Sequence, residues 1–329
     1  MLFRSWKHRE QLPQSLNHFY ESIGITKQGV HKLADSYIRM NEETEYLRIV
    51  MTQIRREHPT MNGVAMYYKI NPVTIGRDKF LQLCKELGFQ VERKKRFRGT
   101  TDSSGVVRFP DLLKGAKLSG MNQAFSSDIT YFEINKCFYF ITFIVDCFSR
   151  RILGHYVSSR LLTEHTTLPA LKMAIKTRKY DLPTGVIIHS DGGGQYYDKQ
   201  FLLLTKRYKF SNSMCEFAYE NGKAERINGV IKNNYLHHWK ISNLKELIQS
   251  VDRAVELYNY EKPHKALHYL TPVTFEEKLL NLHQQTRSMM KESFDAKDQD
   301  FGASSPINPE QTRSQNQDVI SAKRVVVQG

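Results

Sequence analysis

The spacing of apolar residues changes character once along this chain, near residue 123. Before that point apolar positions recur every three or four residues, the period of helices. Leu16 to Ile23 is a short amphipathic stretch, Gly24-Ile25-Thr26 reads as a turn ending on an N-cap, and Lys27 to Leu33 reads as a second helix. The pair is a helix-turn-helix candidate whose exposed side would carry Gln28, His31 and Lys32. Any helical hairpin gives the same pattern. Glu42 to Glu57 predicts a further helix with Leu47, Val50 and Ile54 on its apolar stripe. Thr74 is a candidate N-cap for another over Ile75 to Leu87, closed by Gly88. The start of that helix, Gly76-Arg77-Asp78-Lys79, is a second candidate for facing a groove.

After residue 123 the pattern turns to strands. Phe125 to Phe132, Cys137 to Val145 and Arg151 to Val157 are rich in β-branched and aromatic residues and separated by turns short enough for hairpins. Glu164 to Lys176 reads as a helix, Val186 to His189 as a fourth strand, Asp198 to Lys206 as a helix and Lys209-Phe-Ser as a brief strand. Helices follow over Asn221 to Trp239, where Ala224, Ile227, Ile231 and Tyr235 share one face, and over Leu244 to Asn259. This order predicts an α/β domain with a mixed sheet, preceded by helical segments. The expected division is 1–40, helix-turn-helix candidate; 41–91, second helical DNA-binding domain; 92–120, basic linker; 121–284, catalytic core; and 285–329, polar flexible tail.

Composition narrows the partner more than the chemistry. The chain has 329 residues, 25% of them charged, and a net charge of +14, which suits a polyanionic partner. The densest basic cluster, Arg93, Lys94, Lys95 and Arg96, falls in the linker, where it would touch DNA phosphates or form a solvated face. The four cysteines form no CxxC and no zinc-finger spacing with histidine, so reduced thiols and a cytoplasmic location are expected. The opening residues carry no secretory leader pattern, and the most apolar stretch, Cys137 to Cys147, is too short to span a bilayer, so no membrane is expected.

Three carboxylates stand out by position. Asp128 interrupts a run of strand formers, Asp191 lies just beyond the fourth strand in His189-Ser-Asp-Gly-Gly-Gly-Gln-Tyr196, and Glu225 lies near the start of a helix. If strands one and four are neighbours, Asp128 and Asp191 meet at their edge and a helix across the sheet brings in Glu225. Acids so gathered repel one another unless cations neutralise them. Mg2+ suits such oxygen ligands, and two ions would activate a hydroxyl and stabilise a leaving oxygen. For any single aspartate a structural role is the simpler reading. Spacing alone leads no further than a candidate metal-dependent phosphotransfer domain.

The same motifs carry a resemblance. Asp128-Ile-Thr-Tyr131, Val145-Asp-Cys-Phe-Ser-Arg150 with Arg151-Ile-Leu-Gly154, His189 to Tyr196, Tyr219-Glu-Asn-Gly-Lys-Ala-Glu225, and Tyr258-Asn259 with Pro263-His264, Leu267, Thr271-Pro272 and Phe275 resemble insertion-sequence transposases of the IS3 group. Their catalytic domain is integrase-like with a ribonuclease-H fold, here a mixed five-stranded sheet with flanking helices. The resemblance is firm over roughly 120–280 and weaker over 45–100. It implies a DNA transposase in which Asp128, Asp191 and Glu225 hold two Mg2+ ions, with Mn2+ as a substitute. It also implies that Lys232 contacts transposon-end DNA, and that the partners are double-stranded DNA, both ends and target, and further copies of the chain. His189 and Gln195 would line the site behind the carboxylates. Competing readings are a ribonuclease-H-like nuclease without strand transfer and a catalytically dead DNA-binding protein. A retroviral-type N-terminal zinc site fails, because no cysteine precedes Cys84.

Overall fold

Thr26 begins the first long element: its side chain accepts a hydrogen bond from the Gly29 N–H at 3.1 Å, satisfying one of the helix's orphan donors. The computed structural model describes residues 16–22, 24–91, 109–191, 193–215 and 222–282. Helix α1 (Leu16–Ser22) turns through Gly24, at φ 67°, into α2 (Lys27–Glu57). The expected break near residues 40 and 41 is absent: α2 is one helix of 31 residues. No glycine or proline interrupts it after Gly29, so nothing in the backbone stops propagation. Its C-terminal half supplies Leu47, Met51 and Ile54 to a small core with Met66 of α3 (Gly63–Ile70) and Phe80 and Cys84 of α4 (Arg77–Glu86). Thr74 is not the cap of α4. The N-cap is Gly76, which makes no side-chain capping bond, while the expected closure by Gly88 is present at φ 74°.

The region after residue 123 holds a five-stranded sheet in the order β3-β2-β1-β4-β5. Strands β1 (Ala124–Ile134), β2 (Cys137–Asp146) and β3 (Ile152–Ser158) form an antiparallel meander. The first hairpin closes on Asn135 and Lys136, both left-handed (φ 51° and 65°), the twist that a two-residue turn needs to match its strands. Strands β4 (Ile187–Ser190) and β5 (Ser211–Met214) then add in parallel to the other side of β1. The expected strand at Lys209-Phe-Ser is displaced. Lys209 sits in a left-handed turn (φ 54°) and only from Ser211 does the chain pair with β4. The part of the expected linker at 109–113 is docked on this edge: Leu112 N donates to Ser213 Oγ at 2.9 Å, and Met214 N donates to Pro110 O at 3.4 Å.

Each sheet face has its own core. One face packs α5 (Thr167–Thr177) and α6 (Lys199–Arg207) against Phe125, Ile144, Leu153 and Ile188. Gly154 is required there, because a Cβ would lie 2.1 Å from Ala170 O in α5. The other face packs α7 (Gly222–Asn234) and α8 (Leu244–Glu256) against Phe132, Ile141, Phe143 and Val145 through Ile227, Ile231, Tyr235, Leu247 and Val251. The expected helix 221–239 ends as α7 at Asn234 and continues as a 3-10 turn, Leu236–His238. Beyond α8, a π turn at Leu257–Glu261 aims Asn259 back at the sheet, where its amide pairs with both backbone groups of Ile152 at 2.8 and 2.9 Å. A last helix begins at residue 272. Its Glu276 is buried and receives Arg178, Arg151 and Ser149, while Arg178 also reaches Asp146 at 3.2 Å. The helical region joins the core through His58, whose ring meets Tyr235 Oη at 3.0 Å, and through Lys69, paired with Glu261 at 2.8 Å.

Candidate active site

Parallel pairing of β1 with β4 creates the site. Ser126 lies opposite His189, so two residues further along each strand Asp128 faces Asp191, the first residue beyond β4. Asp128 is paired with Phe143 on β2, so its side chain shares the face that carries α7. Helix α7 packs Ala224, Ile227, Ile231 and Tyr235 inward and leaves Glu225 exposed in its first turn. One turn later Asn228 reaches the sheet and donates through Nδ2 to Asp128 Oδ2 at 2.6 Å.

Asp128 records the convergence of the three acids. Its carboxyl is raised from 3.8 to about 7, first by burial and then by the negative charges of Asp191 and Glu225. Two hydrogen bonds work the other way, from Ile129 N at 3.0 Å and from Asn228. Asp191 Oδ1 accepts from Gly193 N at 3.2 Å, which folds the glycine-rich turn back over the carboxylate. Gly192 lies outside the described residues.

The other expected site residues divide. Lys232, two turns after Glu225, is partly buried beside β1; its Nζ donates to Tyr131 O at 3.3 Å and stands 5.2 Å from the Tyr131 ring centre. Burial lowers its pKa, and the charge of Asp128 opposes that shift. His189 is buried but turned to β5, 2.9 Å from Ser213 Oγ and 3.8 Å from Asp111. Gln195 contacts the preceding loop instead: its carbonyl accepts from Thr163 and Thr167, and Nε2 donates to Leu161 O at 3.4 Å. Gln28, His31 and Lys32 are exposed on the first turns of α2, a separate element. Arg93, Lys94, Lys95 and Arg96 lie outside the described residues, as does the tail from 285.

Two residues near the carboxylates had not been singled out in the sequence. Asn228 was visible in principle, three positions after Glu225 and so on the same side of its helix. Tyr196 is fully buried behind the aspartates, with its hydroxyl 2.9 Å from Ser127 Oγ. Burial pushes its pKa well up, and Asp191 and Asp128 add to the shift. Its position depends on the turn after β4, which spacing does not reveal.

The donors are all carboxylate oxygens, negatively charged and already repelling, which suits a hard divalent cation. The buried Oδ1 of Asn228 has no hydrogen-bond partner, a further sign of polar capacity held in reserve here. Among the described residues no three His, Cys, Asp or Glu side chains close around a single point.

Two sequence profiles described as "Integrase core domain" match the chain, one over residues 119–219 and one over 207–272. The chain is 29% identical over 265 residues to an insertion element IS600 uncharacterized 31 kDa protein of Shigella sonnei, covering 78% of this chain and 96% of that protein. It is 30% identical over 165 residues to the transposase InsF for insertion sequence IS3A of Escherichia coli K12, covering 49% of this chain and 56% of that protein, little more than half its length. Among solved structures, the HTLV-2 integrase catalytic core domain in complex with magnesium is 22% identical, covering 47% of this chain and 96% of that one, with a TM-score of 0.39.

Proposed function

The chain belongs to the integrase-core family of IS3-type insertion-sequence transposases, and from that premise we propose that it cuts DNA at insertion-sequence ends and joins the freed strand to target DNA. What supports the reading is the burial of Asp128 on the sheet with the charges of Asp191 and Glu225 acting on it, which together raise its pKa to about 7. A buried acid whose proton affinity is raised by two neighbouring acids gains nothing structurally from the arrangement. It gains when positive charge arrives.

In this proposal Asp128 and Asp191 hold two Mg2+ ions, with Mn2+ as a substitute, and Glu225 completes the second position. The chemistry such ions supply is Lewis acidity, which favours loss of a hydroxyl proton and stabilises the leaving oxygen. The residues do the rest. Asn228 keeps the Asp128 carboxylate in one orientation through its 2.6 Å bond. Tyr196 and Ser127 fill the space behind it and exclude water. Lys232, free to exchange Tyr131 O for a phosphate oxygen, holds the DNA beside the acids. In each step a water or a 3′-hydroxyl oxygen forms a bond to phosphorus and the opposite P–O bond breaks, with the proton passing to solvent. No covalent bond to the protein forms.

The partners in this reading are double-stranded DNA, as ends and as target, and further copies of the chain, since two ends must be paired. The net charge of +14 and the exposed Gln28, His31 and Lys32 support DNA binding. Cys84, Cys147 and Cys215 are buried thiols and Cys137 an exposed one, none of them in a disulfide, which supports a reducing, cytoplasmic setting beside the DNA. Among the described residues no helix is long and apolar enough to cross a membrane.

The test is Mg2+-dependent cleavage and joining of labelled insertion-sequence-end duplex by the full chain and by Glu225→Gln. Both activities present in the first and lost in the second, with duplex binding retained, support the proposal. Cleavage without joining would point to a nuclease. Specific binding with no cleavage by either protein, in any metal, would sink it.

A further inference from the structure

On the α7 face of the sheet, toward the start of β1, lies a cavity of about 100 Å3. Its apolar wall is Val145 and Cys147 at the end of β2 and Ile227 on α7, and it opens at Gly222, the first residue of that helix. Its charge comes from Arg150 and Arg226. Asp146 forms part of the floor, but its carboxylate is already taken by Asn122 N, Phe148 N, Ser149 N and Arg178. Among the described residues neither Arg150 nor Arg226 has an ion-pair partner.

The two guanidinium groups act on the same neighbours. Both favour loss of the buried Tyr258 proton, opposing the upward push of its burial, and both disfavour a proton on the His264 ring, whose Nε2 has no hydrogen-bond partner. Arg150 also holds a left-handed backbone (φ 61°) at the end of the β2–β3 turn, a conformation that is strained for an arginine. Two uncompensated cations at a concave mouth repel each other and call for an anion. The cavity is small, and its two cations suit a compact anion.

Location identifies the anion. Val145 lies opposite Ser126, two residues and so about 7 Å along β1 from Asp128, on the same sheet face. We propose that Arg150 and Arg226 together grip one DNA backbone phosphate a short way along the strand from the phosphate being attacked. The site would fix the reach of the strand past the carboxylates and carry no sequence preference of its own. This rests on the strand-cutting reading given above.

The test uses full-length protein without metal and end duplexes carrying one neutral methylphosphonate at successive positions around the cut. For the unmodified protein, neutralising one position near the cut should weaken binding about tenfold. In the double variant Arg150→Asn, Arg226→Gln that position should become indistinguishable from its neighbours, and the slope of log affinity against log salt should fall by about one. Asparagine tolerates the left-handed backbone at 150, and Arg226→Gln alone, at an exposed helical position, guards against misfolding. Equal sensitivity of variant and parent at every position, or an unchanged salt slope, overturns the inference. So does a cavity that takes inorganic phosphate, seen as an Arg226-dependent spectral shift, while duplex binding ignores both substitutions. If the parent protein binds no duplex at all, the strand-cutting reading itself has failed. If it binds without metal and cuts once Mg2+ is added, but the scan is flat, only the phosphate grip has.

Discussion

Replacing Asp128 with asparagine should make the metal-free protein more stable. The folded-state pKa of this carboxyl is raised from 3.8 to about 7. The folded chain therefore keeps a proton that the unfolded chain has released, and stability falls as pH rises between those values and levels off above 7. A shift of about three units corresponds to about 4 kcal/mol of cost at pH 8, of which about 1 kcal/mol appears between pH 6 and pH 8. Asparagine never ionises, so Asp128→Asn removes the cost. Its amide can also turn a donor toward the orphaned Asn228 Oδ1. Two buried histidines titrate in the opposite sense: His58 is lowered to about 4 and His264 to about 3, mainly by burial, so both lend stability that grows as pH rises toward 6.5. The quantity to read is therefore the difference between parent and variant, in which the histidines cancel. Denaturant melts with a chelator present should favour Asp128→Asn increasingly from pH 5 to pH 8, with Tm higher by roughly 5–10 °C at the alkaline end. Adding Mg2+ should raise the parent and leave the variant unmoved. A variant no more stable than the parent at pH 8, or a difference that does not grow with pH, would show that the acids do not meet as described.

Asn228→Ala should remove the bond that lowers the Asp128 pKa, so the pH at which the metal-free protein loses stability moves upward and strand cleavage drops about tenfold. A purely structural loss would leave that pH unchanged in urea melts taken across the range. Glu276→Gln should cost about 3–5 kcal/mol, because Arg151 would lose its counter-charge and Arg178 would keep only Asp146. Denaturation midpoints measure it, and a loss under 1 kcal/mol would contradict the burial of the network.

Local pattern exposed the acids one by one and hid their meeting. Asp128 was legible because a carboxylate stands among Ile129, Tyr131 and Phe132 in a run of strand formers, and Glu225 because its helix has a clear apolar face. That β4 lies beside β1 is a non-local fact. No periodicity records which strands pair, and the parallel rung from Ser126 to His189 spans an intervening meander and helix. His189 and Gln195 were expected behind the carboxylates, but the cross-strand partner on β5 and the 3-10 turn hold them against Ser213 and Leu161. The unbroken α2 was missed because a polar stretch from Asn41 to Glu45 weakens the apolar stripe without containing a helix breaker. The Arg150 and Arg226 cavity was invisible for the usual reason: the two residues are distant in sequence and each alone looks like a solvated charge.

The cluster of Glu276 with Arg178, Arg151, Ser149 and Asp146 also sets a condition on synthesis. The carboxylate that balances these arginines lies 127 positions after Ser149 and reaches the sheet only with the helix beginning at 272. Until the ribosome has released that segment, the sheet carries buried guanidinium groups with half their counter-charge, and the core is costly to close. A message truncated upstream of Glu276 would still encode all three acids, yet its product should remain open to proteases. Closing the core is thereby tied to completion of the chain through Glu276.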